Sequence, residues 1–307
     1  MRSYLTFLLT LTLLGSWLGF ALPAAALPLK PQVTPLSPLH GVQRQLWTYT
    51  SGSLAVKGRL YYPQSCSKPL PLIIFNHDGI SGISPQHELC CVRLARRGYL
   101  VFAPSYRGED GSQGGIEIAK GEVQDVLAAY NYLRSSPYCQ SEKGVVLMGA
   151  SHGALISLLA AARLPQEEVR GLIFAYGVAD IYAWWDYLRA TNQLGGDPIT
   201  RRTYGDGPQA RPASFALRHG LSAVPHIQAP VLILQGQLDT ITPPSQAEAL
   251  FSAFQAAGRE VTLRLYPHCL HGFLVYAPYL TKGVSAQEKA ETEEAWEEVF
   301  TFLQGLS

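Results

Sequence analysis

The sequence has no excess of charge of either sign. Its 307 residues carry 24 lysines and arginines against 23 aspartates and glutamates, so the formal net charge at pH 7 is +1. This balance gives no reason to expect a nucleic acid or an acidic surface as partner, and a small molecule is the expected partner instead. Internal repeats and low-complexity segments are also absent.

Metal-binding patterns are missing as well. The five cysteines include no C-x-x-C pair, and Cys90 and Cys91 are adjacent, which excludes the usual zinc spacing. The histidines His77, His87 and His152 do not show the i, i+4 spacing of helical metal ligands. We therefore expect no metal and no cofactor.

Only one apolar run approaches the length of a membrane span, and it lies at the start of the chain. Arg2 precedes the apolar stretch 4–23, and three small residues ending at Ala26 follow it. This layout predicts a signal peptide over 1–26 and a secreted or periplasmic protein with no stable membrane insertion after cleavage. An uncleaved anchor is the alternative. Residues 27–42 are rich in proline and are expected to form an extended tail.

From residue 43 onward, strand and helix patterns alternate. A hairpin is expected first, and six apolar strands separated by helical stretches follow it. The predicted strands are 45–50, 57–63, 71–77, 99–106, 144–149, 171–177, 230–237 and 261–267. The pattern predicts one α/β domain over 43–307, with a mainly parallel eight-stranded sheet and helices on both faces. Residues 178–229 are too long for a plain connection and are interpreted as a small cap.

The stretch GVVLMGASHGALIS at residues 144–157 places Ser151 at a strand-to-helix turn. Gly149 and Gly153 leave room for a sharp turn and for close packing of helix on strand. The helix N-terminus favours negative charge near the serine. Ser151 is therefore a candidate nucleophile, although a glycine-rich turn without chemistry shows the same five residues.

A serine nucleophile needs a base and an orienting carboxylate, and in this fold class they follow in the order serine, acid, histidine. Asp239 follows the strand 230–237, and His271 follows the last predicted strand. Both positions fit the required order. Asp180 is the alternative acid, and His268 is the alternative base.

Two backbone donors are expected for the oxyanion. The N–H of His152, just after the candidate nucleophile, is the first. The second is expected from Gly79 in the loop after strand 71–77, with Asp78 as the alternate and the ring of His77 as a further option. The aromatic residues Trp184 and Trp185 are expected either to line a substrate pocket, together with His77 and Asp78, or to pack in the core.

Taken in order, the motifs resemble the catalytic domain of the prolyl oligopeptidase family, within the α/β-hydrolase fold. The stretches that carry the resemblance to its dipeptidyl-peptidase and acylaminoacyl-peptidase branch are LWTYTSGSLAVKGRLYYP, SYRGEDGSQGG, KGEVQDVLAAYNYL, GVADIYAWW, LGGDP, APVLILQGQLDTITPPSQAEALFSAF and YPHCLHGF. The family's triad falls on Ser151, Asp239 and His271, and its oxyanion glycine falls on Gly79. Asp78 stands where the family has glycine. The family also implies a structural pair between its loop arginine and helix aspartate, which here are Arg107 and Asp125.

The resemblance implies a serine hydrolase that cleaves peptide or acyl-amide bonds through an acyl-enzyme. The chain has no room for the β-propeller of the large peptidases, which leaves open a carboxylesterase of the dienelactone-hydrolase or acetyl-esterase type. A secreted binding protein that has lost activity is the third interpretation.

A separate expectation concerns the thiols. In α/β hydrolases the strands 71–77 and 144–149 are neighbours, about 4.8 Å apart, so Cys66 and Cys139 are expected to form a disulfide below them.

Overall fold

The computed structural model describes residues 30–194 and 198–306, and within them a single sheet of nine strands forms the centre. The strand order is β1-β2-β3-β5-β4-β6-β7-β8-β9. The strands are β1 Gln32–Leu39, β2 Val42–Ser51, β3 Leu54–Pro63, β4 Leu72–Asn76, β5 Leu100–Pro104, β6 Val145–Ala150, β7 Val169–Ala175, β8 Val231–Gly236 and β9 Val261–Tyr266. Strands β1, β2 and β3 pair in antiparallel fashion, β3 joins β5 in the same way, and all pairs from β5 to β9 are parallel.

Helices cover both faces of the sheet. They are α1 Pro85–Arg96, α2 Gly121–Leu133, α3 His152–Ala161, α4 Ile181–Ala190, α5 Pro198–Tyr204, α6 Pro212–Leu217, α7 Pro244–Ala256, α8 Phe273–Tyr276 and α9 Ala286–Gly305. One face packs on α2, α3 and α7, and the other packs on α1, α8 and α9. Every residue of β4, β5, β6 and β8 is buried, which explains their continuous apolar sequences. The expected α/β-hydrolase architecture is confirmed.

The expected number of strands, eight, is wrong because the segment interpreted as an extended tail contains β1. This strand pairs with β2 in a register that sets Gln32 opposite Thr48 and Leu39 opposite Val42. Its side chains are mostly exposed, so it shows no alternating apolar pattern. It also contains Pro35, which is tolerated because β1 is at the edge of the sheet that the described residues form.

The segment 178–229 is helical where the structure describes it. It contains α4, α5 and α6, followed by the 3₁₀ helix Gly220–His226. A small apolar cluster holds these helices together, and it is made of Ile118, Ile181, Trp185, Tyr204 and Phe215. Ile118 belongs to the loop after β5, so the cap packs on the body of the domain through this cluster. Part of the predicted cap, residues 195–197, lies outside the described residues.

The expected disulfide between Cys66 and Cys139 is wrong, since all five cysteines are free thiols. Leu70, rather than Cys66, is the bridge partner of Cys139. Cys66 lies four residues earlier, in a turn where its N–H donates to the carbonyl of Pro63 at 3.0 Å. The Sγ of Cys66 donates within the same turn, to the carbonyl oxygen of Lys68 at 2.9 Å. The remaining three cysteines, Cys90, Cys91 and Cys269, are buried thiols.

The predicted signal peptide, residues 1–26, lies outside the described residues. Among the helices that the structure does describe, none combines the length and the apolar character needed to cross a bilayer.

Candidate active site

Ser151 occupies a strained turn between β6 and α3. Its φ of 50° and ψ of −116° place a non-glycine residue at positive φ, which is costly and is concentrated at functional sites. The flanking glycines are required by close approach of the backbone. A Cβ on Gly149 would lie 2.1 Å from the carbonyl oxygen of Gly153, and a Cβ on Gly153 would lie 2.1 Å from that of Asn76. The turn therefore presents the serine hydroxyl above the carboxyl edge of the sheet.

Three side chains that are far apart in the sequence form one hydrogen-bonded chain. His271 Nε2 lies 2.9 Å from Ser151 Oγ, and His271 Nδ1 lies 2.7 Å from Asp239 Oδ2. The carboxylate accepts from Nδ1–H, which leaves the lone pair of Nε2 facing the serine hydroxyl. This is the arrangement in which an imidazole can take the proton of an attacking serine.

The loop after β8 fixes the carboxylate of Asp239, which is only 3% exposed. Its Oδ1 accepts from the N–H of Ile241 at 2.8 Å and of Thr242 at 2.9 Å. Its Oδ2 accepts from the hydroxyl of Thr242 at 3.0 Å and from Gln235 Nε2 at 3.3 Å. These contacts hold the carboxylate in place, with Oδ2 directed at His271 Nδ1.

The alternative acid and base are both occupied elsewhere. Asp180 Oδ1 accepts from the N–H groups of Tyr182 and Ala183, and so caps α4. His268 Nδ1 contacts Glu291 of α9. Neither residue faces Ser151, so the geometry favours Asp239 and His271 for these positions.

The ring of His152 has a structural role that the sequence did not predict. Its Nδ1 lies 2.9 Å from the carbonyl oxygen of Gly79, which can only accept, so Nδ1 carries the proton. Burial lowers the pKa of His152 and keeps the ring neutral. The ring thereby holds the loop after β4 against the first turn of α3, where backbone N–H groups have no partner within the helix. Gly79 itself has a φ of +66°, and its part as an oxyanion donor stays a prediction.

Asp78 belongs to a buried network rather than to an open pocket. Its Oδ1 accepts from His87 Nε2 at 2.9 Å and from the hydroxyl of Tyr276 at 2.6 Å. Burial alone would raise the pKa of Asp78, but these two hydrogen bonds stabilise the carboxylate and lower it. Tyr276 ends α8, five residues after His271. The network therefore connects the loop after β4, which carries Asp78 and Gly79, to the segment that carries His271.

The expectation that His77 lines the pocket or donates to the oxyanion is wrong. The ring has no exposed surface, and its Nδ1 lies 2.8 Å from the carbonyl oxygen of Asp78. Its Nε2 lies 3.1 Å from Glu109 Oε2, and the ring packs on Tyr106 with centroids 4.4 Å apart. His77 therefore supports the loop from below.

Trp184 and Trp185 line a cavity of about 760 Å³ in the cap. Trp184 Nε1 donates to the carbonyl oxygen of Ile241 at 2.9 Å, so the cavity adjoins the loop that carries Asp239. Trp185 is 7% exposed and packs edge-on against Phe215. Trp185 thus lines a cavity and also packs in the core of the cap, and substrate binding in this cavity stays a prediction. In the described part of the chain, no cluster of three metal-ligating side chains is present.

The comparison with known proteins agrees with this geometry. A model of the dienelactone hydrolase family matches residues 56–307. The uncharacterized peptidase YtmA of Bacillus subtilis (strain 168) is 25% identical over 203 residues, which are 66% of this chain and 76% of that protein. The acylaminoacyl peptidase of Pyrococcus horikoshii superposes with a TM-score of 0.68 at 18% identity, over 86% of this chain but only 42% of its own.

Acetyl xylan esterase 1 from Thermoanaerobacterium sp. JW/SL YS485 superposes with a TM-score of 0.65 at 17% identity, and covers 91% of this chain and 89% of its own. At these identities the two superpositions establish the α/β-hydrolase fold, and the expected likeness to acylaminoacyl peptidases is confirmed. The family model, by contrast, spans most of the polypeptide and includes Ser151, Asp239 and His271. The protein is a serine hydrolase, and it belongs to the dienelactone hydrolase family.

Proposed function

We propose that this enzyme hydrolyses carboxylic esters of small or apolar acids through an acyl-enzyme. Ser151 is the nucleophile, His271 the general base and acid, and Asp239 the carboxylate that orients the imidazole. The observation that carries this proposal is the continuous pair of hydrogen bonds, 2.9 Å and 2.7 Å long, that starts at the strained turn of Ser151. The backbone N–H groups of His152 and Gly79 complete the site as oxyanion donors.

In the first half of the reaction, Ser151 Oγ attacks the carbonyl carbon and His271 Nε2 takes its proton. The developing oxyanion accepts from the N–H of His152, and each donor of this kind contributes about 10²–10³ in rate. His271 then gives the proton to the leaving alcohol. In the second half, His271 takes a proton from water as the water attacks the acyl-enzyme. His271 then returns a proton to Ser151 Oγ as the acid leaves.

An ester is favoured over a peptide because the carboxylates near the site already have partners. Asp78 accepts from His87 and Tyr276, and Asp180 caps α4. Neither is available to hold the ammonium group of a peptide. In addition, three apolar side chains on the loops that carry Asp239 and His271 are 46–49% exposed. They are Leu238, Ile241 and Leu270. They offer contact area to an apolar acyl or alcohol group.

Cleavage of peptide or acyl-amide bonds is the second candidate, supported by the similarity to the peptidase YtmA. The two are separated by comparing kcat/KM for p-nitrophenyl acetate and butyrate with kcat/KM for aminoacyl and acetyl-aminoacyl p-nitroanilides. Ser151→Ala is the matched control for both substrate classes. We expect the esters to be hydrolysed at least 100-fold faster than the anilides. Faster cleavage of an anilide would overturn the ester proposal in favour of the second candidate.

We further propose that the enzyme is secreted after cleavage behind Ala26. The support is the apolar run 4–23 between Arg2 and the three alanines. Sequencing of the secreted protein from its amino terminus should start at Leu27. A protein that retains Met1 and partitions with membranes would contradict this proposal.

A further inference from the structure

A second cavity, of about 720 Å³, lies between the cap and the body of the domain. One wall is the loop that follows β5, and the other is formed by α5, α6 and the residues next to them. The lining residues are Leu54, Arg107, Gly115, Ile116, Glu117, Lys120, Arg202, Thr203, Arg211, Ala213, Ser214, Leu217 and Arg218. Neither the hydrogen-bonded chain of Ser151 nor the oxyanion residues belong to this lining.

The charges that line this cavity are not balanced. Five of its residues are cationic, and they are Arg107, Lys120, Arg202, Arg211 and Arg218, whereas Glu117 is the one carboxylate among them. Asp125 neutralises Arg107 from behind, with its Oδ1 2.8 Å from Arg107 Nη2. Glu122 lies behind the same wall and accepts from the N–H groups of Glu117 and Lys120. Five positive charges less these three negative charges leave two positive charges uncompensated. A concave, cationic surface of this kind attracts anions.

Arg218 makes the imbalance unusual because it is buried. It is 4% exposed, and every acceptor of its guanidinium is neutral. Nε donates to the carbonyl oxygen of Ile118 at 2.6 Å, Nη2 to that of Glu117 at 2.6 Å, and Nη1 to Ser214. The carboxylates of Glu122 and Glu117 act on Arg218 only from a longer distance. A buried charge whose direct partners are all neutral is costly. An anion in the cavity would lower that cost.

Arg202 and Arg211 line the same cavity and are exposed. Arg202 Nη2 donates to the carbonyl oxygen of Ile116 at 3.2 Å, which is again a neutral acceptor. Among the residues that the structure describes, no carboxylate oxygen lies within salt-bridge distance of Arg202, Arg211 or Arg218. Guanidinium groups bind carboxylate and phosphate oxygens in a two-pronged geometry, so three of them around one cavity suit a ligand with several such oxygens.

We infer that this cavity is a binding site for a small polyanion bearing carboxylate or phosphate groups. The site lies outside the catalytic machinery and does not depend on the proposed ester hydrolysis. Arg107 and Lys120 come from the body, whereas Arg202, Arg211 and Arg218 come from the cap. A bound polyanion therefore bridges the two parts and stabilises their contact, since a ligand of the folded state raises the unfolding temperature.

Binding is measured by titration calorimetry at constant ionic strength, with citrate as the carboxylate probe and pyrophosphate as the phosphate probe. The test variant is Arg202→Gln/Arg211→Gln, whose residues are exposed and should not impair folding. The charge-matched control is Lys68→Gln/Arg163→Gln, which changes two exposed cations away from the cavity. Thermal unfolding is followed in parallel for all three proteins.

We expect one site per chain, at least 10-fold weaker binding in the test variant, and wild-type affinity in the control. The upward shift of the unfolding temperature by the better probe should be lost in the test variant alone. Tighter binding of citrate assigns the site to carboxylates, and tighter binding of pyrophosphate assigns it to phosphates. Equal affinity of the test variant and the control, or no saturable binding of either probe at 1 mM, overturns the inference. Ser151→Ala should bind as wild type does, which keeps this result separate from the proposed hydrolysis.

Discussion

The exchange Asp239→Asn tests the hydrogen-bonded chain at its buried end. The N–H groups of Ile241 and Thr242 both donate to Oδ1, so an asparagine is held with its carbonyl oxygen at that position. Its NH₂ then takes the place of Oδ2, 2.7 Å from His271 Nδ1. The amide donates to Nδ1 where the carboxylate accepted from it, and the imidazole proton is forced onto Nε2.

This change of tautomer sets the size of the effect. With a proton on Nε2, the ring points a donor at Ser151 Oγ across 2.9 Å and cannot accept the proton of the hydroxyl. A wrong tautomer of this kind lowers kcat by about 10⁴-fold, which corresponds to about 5.5 kcal/mol of transition-state stabilisation. The fold should be retained because the two N–H donors to Oδ1 keep their acceptor.

The assay is the hydrolysis of p-nitrophenyl acetate by purified protein between pH 6 and pH 9, with circular dichroism as a check on folding. Asp180→Asn is the matched control, because asparagine caps a helix about as well as aspartate and α4 should keep its first turn. We expect the control to retain at least a third of the activity. A larger loss in Asp180→Asn than in Asp239→Asn would refute the assignment of the acid.

Three further predictions concern the supporting residues. Tyr276→Phe removes the 2.6 Å hydrogen bond to Asp78, so the loop after β4 is held less firmly. We expect kcat for ester hydrolysis to fall about 10-fold with little change in KM. The lowered pKa of Asp78 implies that its carboxylate stabilises the fold above about pH 4 and that this contribution is lost as the pH falls through the lowered pKa; urea unfolding of Asp78→Asn should show a weaker acid dependence than wild type. Asp125→Asn should destabilise the fold by about 3 kcal/mol, seen in urea unfolding, because Arg107 loses its fully buried partner.

The position of the candidate site was predictable because parallel strands end at one edge of the sheet. Ser151, Asp239 and His271 each follow a strand whose sequence is continuously or mainly apolar, and that pattern is visible without a structure. The same reasoning identified Gly79, since its loop also leaves that edge. The sheet brings these four residues together whatever the details of the intervening helices.

Contacts that depend on the exact path of the chain were not predictable. The hydrogen bond between Tyr276 and Asp78 joins residues 198 positions apart, and no local sequence pattern predicts it. Cys66 bonds within the turn after β3 and not to Cys139, although the strands that follow the two residues are neighbours. Strand β1 was missed for a different reason, because an exposed edge strand does not require alternating apolar residues.

Covalent labelling shows whether Ser151 is the residue that forms the acyl-enzyme. The purified enzyme is treated with a fluorophosphonate probe, digested, and analysed by mass spectrometry for the modified residue. We expect one phosphonylated site, on Ser151, with no labelling of Ser151→Ala and labelling of Asp239→Asn slowed by several orders of magnitude. Modification of a different residue, or ester hydrolysis by Ser151→Ala at the wild-type rate, would contradict this expectation.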